Sequence, residues 1–534
     1  MIYSTIFYLL FAWLIYEKVI KLYYRYWFYK KQGIPTMSFP LPVFGNLLGM
    51  KKALDNMNPY SKTILEEYWH NHFGETLPPI FADMRIADGS IVFCDPNYVK
   101  EIYTTKTKYM DKHPKFYRIA YEQFKDSTFL QKSSELWVQK RKHLSAAFYK
   151  DKIKHMLKSA IVVTNQKVQE WRLLVEDKGD QTIILNKQAQ EMIDDVIQVC
   201  VFGQSVLKKQ IGYIEKGKTL DFTIGKFLRL LTQKIFNRYG GPVRQLCDFF
   251  DYLPITWGEY EGFKNARNFR KFVKMLIDER RVEMADPNYT QSEDFLTIML
   301  QDPFFDSDEM IIDECNSFMI AANITTSMTL TNALYYLTKH KDILGNVREI
   351  IKKEILNGQD AKTLDDSKWG ELLTYEGLQD CNYLQYCILE TLRIDPPARV
   401  TSPHCFTEKI DILGIEIFPD TQWHVNIQYL HHNPKEWIDP ETFIPERFDP
   451  SSRYYLTPAG EKRHPMSFGP FLGGRRICLG KTFAESILKC ILPVILTQVD
   501  FDFADDSLRD RKPINTFLLQ EPEYLVKIKK LREQ

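Results

Sequence analysis

Cys478 lies in the run Phe471 to Gly480, FLGGRRICLG, which pairs two adjacent glycines with two arginines and one cysteine. A glycine-rich turn lets backbone approach a flat ligand closely, and N–H groups aimed at a sulfur stabilise its thiolate. Helical periodicity resumes at Lys481 and runs to Leu496, so Cys478 stands at or near a helix N-terminus, where the dipole favours the anion. Arg476 can pair with a carboxylate. Taken alone, a cysteine in a glycine turn is usually a small core residue. The ten residues nevertheless fit Phe-x-x-Gly-x-Arg-x-Cys-x-Gly at every fixed position, a chance match of order one in ten thousand for a chain of this length.

A second run competes. Gly212 to Thr219, GYIEKGKT, satisfies Gly-x-x-x-x-Gly-Lys-Ser/Thr, the phosphate-cradling loop of nucleotide hydrolases. Average usage yields such a match in roughly one chain in fifty. The loop requires a buried strand before it and a helix after it, and the preceding residues, SVLKKQI, carry two lysines. We therefore read this match as chance. No His-Glu-x-x-His, Gly-x-Ser-x-Gly or Gly-x-Gly-x-x-Gly occurs, so the chain shows no flavin or nicotinamide domain of its own.

The elements that must position Cys478 are mostly helices. Helical periodicity marks 152–176, 189–202, 225–236, 263–284, 308–339, 341–354, 381–393 and 481–496, whereas strand-like pieces are short, at 80–93, 410–417 and 524–528. The fold class is mainly α with a minor β-sheet. Within the helices, Glu390 and Arg393 stand three apart, an ion pair worth a few tenths of a kcal/mol if solvated. Trp137 and Arg141 stand four apart, which puts both on one helix face.

Composition sets the outer limits. The 534 residues are 44% hydrophobic and 26% charged, which is globular, and 70 basic against 69 acidic residues leave a net charge of +1. That balance lacks the positive field of a nucleic-acid binder. Nine scattered cysteines without a Cys-x-x-Cys pair indicate a reducing compartment. The first residues are different in kind. Ile2 to Tyr16 carry no charge, and Lys18, Lys21, Arg25, Lys30 and Lys31 follow. With roughly 20 apolar residues needed to cross a bilayer, residues 2 to about 22 are expected to span it once, with an aromatic belt at Tyr23 to Tyr29 and the body on the cytoplasmic side. Residues 1–31 form this anchor and its flank, 32–45 a proline-rich spacer, and 46–534 the catalytic domain.

The cysteine run resembles the haem-binding loop of the cytochromes P-450, and other segments extend the likeness across the body. Glu390-Thr391-Leu392-Arg393 matches the family's Glu-x-x-Arg, and Pro445-Glu446-Arg447-Phe448 its Pro-Glu-Arg-Phe; Trp137 and Arg141 match its Trp-x-x-x-Arg helix. The resemblance implies haem b with Cys478 as axial thiolate, pushing electron density onto iron. It implies Phe471 shielding the sulfur, Gly480 closing the loop, and Trp137, Arg141 and Arg476 meeting the haem propionates. Glu390, Arg393 and Arg447 would form a structural triad. His404 occupies the place where many members carry a propionate-binding arginine. The distal helix would be 308–339, where Ala321-Ala322-Asn323-Ile324-Thr325-Thr326 departs from the family's Ala/Gly-Gly-x-Asp/Glu-Thr-Thr. Thr325 keeps the alcohol that opens the helix groove, Asn323 is a candidate helper, and Ile324 replaces the acid. The implied activity is insertion of one oxygen atom of O2 into an apolar organic substrate. Electrons come from a separate NADPH-dependent reductase, with cytochrome b5 as a possible second donor, and the setting is the endoplasmic reticulum membrane. Ile324 keeps open an isomerase or hydroperoxide-rearranging reaction, and a non-catalytic haem sensor is a third class. The substrate pocket is expected to draw on 110–129, Leu228, Leu231, Phe318, Ala322, Val400, Thr401, Thr516 and Phe517.

Overall fold

A computed structural model describes residues 2–42, 44–55, 63–84, 89–148, 150–240, 244, 248–289, 293–510 and 523–531. Thr516, Phe517 and Cys247 lie outside them.

Helices predicted from apolar spacing recur with small changes of boundary. Asp308–Lys339 and Lys481–Leu496 match their expected limits. The 152–176 and 263–284 segments lengthen to Lys150–Lys178 and Trp257–Ala285. Ser307 accepts the Met310 N–H and so starts the first of these, as an N-cap serine does. The apolar faces of these helices bury one continuous core in which Val196, Ile197, Leu330, Leu334, Ile487 and Ile491 are nearly inaccessible.

The minor sheet is larger than the three strand-like pieces suggested. Five strands run in the spatial order Ile80–Asp83, Ser90–Phe93, Gln422–Val425, His404–Phe406, Met110–Lys112. Only the pairing of Gln422–Val425 with Ser90–Phe93 is parallel. The strands from 404, 422 and 110 escaped the sequence because each is three or four residues long, and every residue of the five strands is buried, which erases the period-two alternation. A second sheet joins Val499–Phe503, Leu525–Lys530 and Gln181–Ile184.

The phosphate-loop match is a β-hairpin. Ile211–Glu215 pairs antiparallel with Lys218–Phe222, with Glu215 opposite Lys218. The two intervening residues, Lys216 and Gly217, both have positive φ, 49° and 75°, as a tight primed turn demands. A strand and not a helix follows the turn, and its N–H groups are already spent on a protein carboxylate, the Gly217 N–H donating to Glu261 at 2.8 Å.

The amino-terminal segment corrects one expectation. Ile2–Ile15 is α-helical, Tyr16–Ile20 forms a π turn, and Lys21–Lys31 continues as α-helix. Among the described residues no helix is long and apolar enough to cross a membrane. Apolar character stops where Glu17 pairs with Lys21 at 3.1 Å. Beyond it Leu22, Arg25, Tyr26 and Tyr29 are buried against the body, with Tyr29 Oη 2.6 Å from Thr421 Oγ1 and the Phe28 ring 4.3 Å from Phe418. Tyr26 and Tyr29 are therefore core residues and not members of an aromatic belt. The side chains of Tyr3, Phe7, Tyr8, Leu9, Leu10, Phe11 and Trp13 are exposed. The proline-rich 32–45 stretch is also tied down: the Ala82 N–H donates to Pro35 O, and Met37 N–H to Ala82 O.

Candidate functional site: a cysteine loop beneath a long helix

The loop before Cys478 is held from within by backbone and from outside by charge. Cys478 N–H donates to Phe471 O at 2.9 Å, closing the turn. Gly474 has φ +64°, and a Cβ there would lie 2.6 Å from Thr107 Oγ1; a Cβ on Gly473 would sit 2.4 Å from the Tyr103 ring. The two glycines are thus required by protein neighbours, since side chains would collide with the 96–107 segment. Gly480 is different. Nothing lies within 4 Å of a Cβ built on it, so the protein leaves that side open.

Of the eight described cysteines Cys478 alone is exposed. Its thiol is nonetheless partly desolvated by the surrounding protein. That burial pushes the thiol pKa up, while the Gly480 N–H and the Arg141 guanidinium pull it down. Arg141 also donates to Ile477 O, fixing the residue next to the sulfur.

The triad forms as the resemblance implied. Arg393 Nε and Nη2 donate to the two oxygens of Glu390 at 2.7 and 2.8 Å, and Arg447 Nε reaches Glu390 Oε1 at 3.1 Å. All three side chains are fully buried. The remaining guanidinium N–H groups are spent on the carbonyls of His431, Asp439 and Thr442, which satisfies charges that would be costly if left unpaired.

Trp137 and Arg476 are placed differently from expectation. The Trp137 indole N–H donates to Thr128 O at 3.0 Å, and the ring face carries the Arg476 guanidinium 4.2 Å from its centroid. The indole is thus a platform for the arginine and not an N–H donor toward a ligand. Arg476 is clamped by Asp111 Oδ1 (2.7 Å), Gln131 O (2.7 Å) and Ser133 Oγ (2.7 Å). Burial brings its pKa down to about 10.

His404 is buried in the sheet. Its Nδ1 lies 2.7 Å from Ser402 O, its ring stacks on Trp423 at 4.8 Å, and its Nε2 has no hydrogen-bond partner among the described residues.

Away from its ends, Asp308–Lys339 is buried except at Phe318, Ala321, Ala322, Ile324 and Thr325. Positions 318, 321, 322 and 325 follow helical spacing i, i+3, i+4, i+7, so one strip of an otherwise enclosed helix is open. The helix meets the one after Cys478 at Phe318 and Phe483, with rings 5.4 Å apart. Thr325 Oγ1 donates to Ala321 O at 2.8 Å, and the helix runs unbroken through 321–326. The threonine therefore caps a carbonyl here instead of opening a groove. Asn323 faces away, half a turn from Thr325: it is buried and its amide donates to Asp194, which in turn pairs with Arg229. Asn323 joins two helices and does not share the open strip, so it drops out as a catalytic candidate.

These residues fit a flat, anionic, metal-bearing ligand. An exposed thiol feels the Gly480 N–H and the Arg141 guanidinium, Gly480 leaves space, and His404 holds an orphaned nitrogen. Haem meets that description. Of the expected pocket residues, Phe116, Phe124 and Phe129 join Phe236 in one aromatic group, and Leu228 and Leu231 are buried in the same core. Val400 instead packs against the cluster of Met37, Trp69 and Phe81, and the Thr401 hydroxyl accepts the Val425 N–H.

Asp111, Ser133, Thr107 and His431 were not foreseen. Asp111 accepts from Ser133 N–H, Ser133 Oγ and Arg476. Thr107 Oγ1 accepts the Arg475 N–H at 2.7 Å. His431 Nε2 accepts the Gly469 N–H at 3.0 Å while Nδ1 meets Arg393 O, and burial brings its pKa down to about 3. A neutral imidazole so placed joins the triad to the cysteine loop. Only the proximity of Asp111 to a lysine and a histidine gave any signal, and that is common on surfaces.

Comparison with known proteins agrees with this geometry. The family model Cytochrome P450 matches residues 35–528. The chain is 25% identical over 508 residues to cytochrome P450 CYP82J17 of Trigonella foenum-graecum, covering 91% of this chain and 89% of that one. It is 26% identical over 434 residues to cytochrome P450 4F3 of Homo sapiens, covering 78% and 76%. Over 439 residues it is 26% identical to leukotriene-B4 omega-hydroxylase 3 of Mus musculus, covering 79% and 77%.

Proposed function

The chain belongs to the cytochrome P450 family of haem-thiolate monooxygenases, and from that premise we propose that Cys478 is the thiolate ligand and that the substrate is an apolar organic molecule. The observation that carries this reading is that Cys478 alone is exposed among the described cysteines, in a glycine turn where the Gly480 N–H and the Arg141 guanidinium act on its sulfur. Haem bound at this thiolate supplies activation of O2, one oxygen atom entering the substrate and the other leaving as water. Each residue then has a task. Arg141 and the Gly480 N–H favour the anionic sulfur, against the burial that raises its pKa. The buried triad and the Arg476 clamp keep the loop from shifting, which matters because misplacement by about 1 Å can cost on the order of a hundredfold in rate. Phe471 covers the sulfur side. On the distal strip Thr325 is the residue with an exchangeable proton, since Ile324 has none, and proton delivery falls to its hydroxyl and to water. The aromatic group of Phe116, Phe124, Phe129 and Phe236 supports an apolar substrate.

Electrons come from a separate NADPH-dependent reductase, because the chain carries no dinucleotide fingerprint of its own. Residues 1–31 attach the body to the endoplasmic reticulum membrane through the exposed helix Ile2–Ile15, leaving the body cytoplasmic. Protease added to intact microsomes should digest the body, and protection until detergent is added would overturn that topology.

The decisive test is the optical spectrum of the purified protein reduced under carbon monoxide. A red-shifted Soret band is the expected result, and its absence from haem-loaded protein would overturn thiolate ligation. Ile324 favours one second reading, rearrangement of a hydroperoxide whose O–O bond arrives preformed. Turnover of lipid hydroperoxide without reductase or O2 would establish it in place of monooxygenation.

A further inference from the structure

The segment between the helices Pro114–Phe124 and Glu135–Ala147 contributes to the candidate site in three ways. Phe129 joins the aromatic group of Phe116 and Phe124. Thr128 O receives the Trp137 indole N–H. Gln131 O and Ser133 Oγ receive the Arg476 guanidinium that lies on that indole. All three contributions come from residues 125–134, which are neither helix nor strand. Their own backbone bonds are turn bonds, among them Leu130 N–H to Ser127 O, so the placement of the segment depends on what it meets outside itself.

What it meets is the long helix Asp308–Lys339. The Asp126 N–H donates to Asp313 at 3.1 Å, and the Thr128 N–H and hydroxyl both donate to Glu314 Oε1, at 2.8 and 3.0 Å. The two acids differ in their other commitments. Asp313 also accepts from Arg270, a guanidinium shared with Glu309. Glu314 and Thr128 are both buried, and the cation nearest to that carboxylate is the buried Lys140, with Nζ 3.5 Å away while it donates to Asp126 O at 2.7 Å. Burial pushes the Glu314 pKa up to about 7, so near neutrality the tether depends on an acceptor oxygen at least as much as on a charge.

We infer that Glu314 is a positioning residue for the reaction: by holding Thr128 it sets the Phe129 wall and the Trp137 platform, and so couples the long helix to the Arg476 clamp of the cysteine loop. Among the described residues its hydrogen bonds run to Thr128 alone, so it acts through that residue and is not itself a catalytic group. The consequence for ligand binding rests on the haem reading; the tether does not.

Removing one partner of a buried ion pair strands the other, so the experiment compares full-length variants in which Lys140 is neutralised as well. Glu314→Gln with Lys140→Met keeps an acceptor oxygen and removes both charges. Glu314→Leu with Lys140→Met removes the acceptor too. Hydrogen exchange of the 125–131 amides reads the tether as local opening. In haem-loaded protein, titration with phenylimidazole against imidazole reads the aromatic wall, and haem transfer to excess apomyoglobin reads the clamp. The leucine variant should exchange the Thr128 amide roughly ten- to a hundredfold faster than wild type, the scale of a buried donor left unsatisfied. It should also lose preference for phenylimidazole and release haem faster, while the glutamine variant stays close to wild type in all three. Equal exchange in the two variants would overturn the tether, and faster exchange with unchanged ligand preference and haem release would overturn the positioning role. If neither double variant folds, Thr128→Val removes the hydroxyl contact alone; a smaller change in the same direction is expected, and no change in exchange or ligand preference overturns the inference. Failure of the haem reading is seen separately, as a wild-type protein that takes up no haem, and the exchange comparison still decides the tether.

Discussion

The two sides of the candidate site are built on opposite plans. On the lower side the cysteine loop is bound by charge: Glu390, Arg393, Arg447, Arg476 and Asp111 are buried, and their donors and acceptors meet one another or backbone carbonyls at 2.6–3.3 Å. On the upper side the open strip of Asp308–Lys339 carries Phe318, Ala321, Ala322 and Thr325, and its single polar group is turned back onto its own helix. The contrast shows where rigidity is required. A ligand sulfur has to stay at one position, which buried and fully satisfied ion pairs enforce, whereas the strip has to accept substrate, oxygen and water in turn.

Breaking the lower side should have the largest effects. Cys478→Ala is expected to abolish the thiolate Soret band of the reduced carbon monoxide complex. The seven buried cysteines should be dispensable for that band when replaced one at a time by alanine or serine. Next is Glu390→Gln, which strands two buried guanidinium groups. It should cost about 3–5 kcal/mol of stability, read as a lower urea midpoint and a smaller haem-loaded fraction.

The upper side should respond in chemistry and not in folding. Thr325→Ala is expected to leave the urea midpoint nearly unchanged while lowering product formed per reductant consumed by roughly tenfold, with peroxide as the balance. Ile324→Asp should raise that ratio by restoring an acid. Equal coupling in all three proteins would show that protons reach the strip by another route. Smallest of all is Lys218→Ala in the hairpin turn. Surface changes of this kind stay within about 0.5 kcal/mol, so haem content and turnover should match wild type, and no magnesium-dependent nucleotide binding should exist to be lost. Saturable ATP binding abolished by this change would reinstate the discarded motif.

Motifs with a fixed local geometry were legible. The triad could be anticipated only through the family resemblance of Glu390-x-x-Arg393 and Pro-Glu-Arg447-Phe, since the helix spacing alone gave no more than a solvated ion pair. The helices 308–339 and 481–496 were legible to the residue because each pairs a long apolar period with a clear start. Partners that depend on distant chain segments were not. Nothing within FLGGRRICLG specifies that its glycines must clear Tyr103 and Thr107, or that Arg476 will find Asp111, 365 positions away. The phosphate-loop match failed for a related reason: its letters fit, but a lysine and a glycine with positive φ make a hairpin turn where no buried strand precedes them.

What the sequence by itself determined is the chemistry on offer and the local shapes: a thiol in a glycine turn at a helix start, a long helix with threonine where an acid is missing, and an apolar amino terminus. Tertiary structure decided which groups are spent and which remain free. It committed the Trp137 indole N–H to Thr128, drew Asn323 to Asp194, buried Tyr26 and Tyr29 in the body, and left His404 Nε2 buried without a partner among the described residues. The physical reason is that a polar group's role depends on its hydrogen-bond inventory, and in a buried site that inventory is filled by residues hundreds of positions apart, which only the packing brings together.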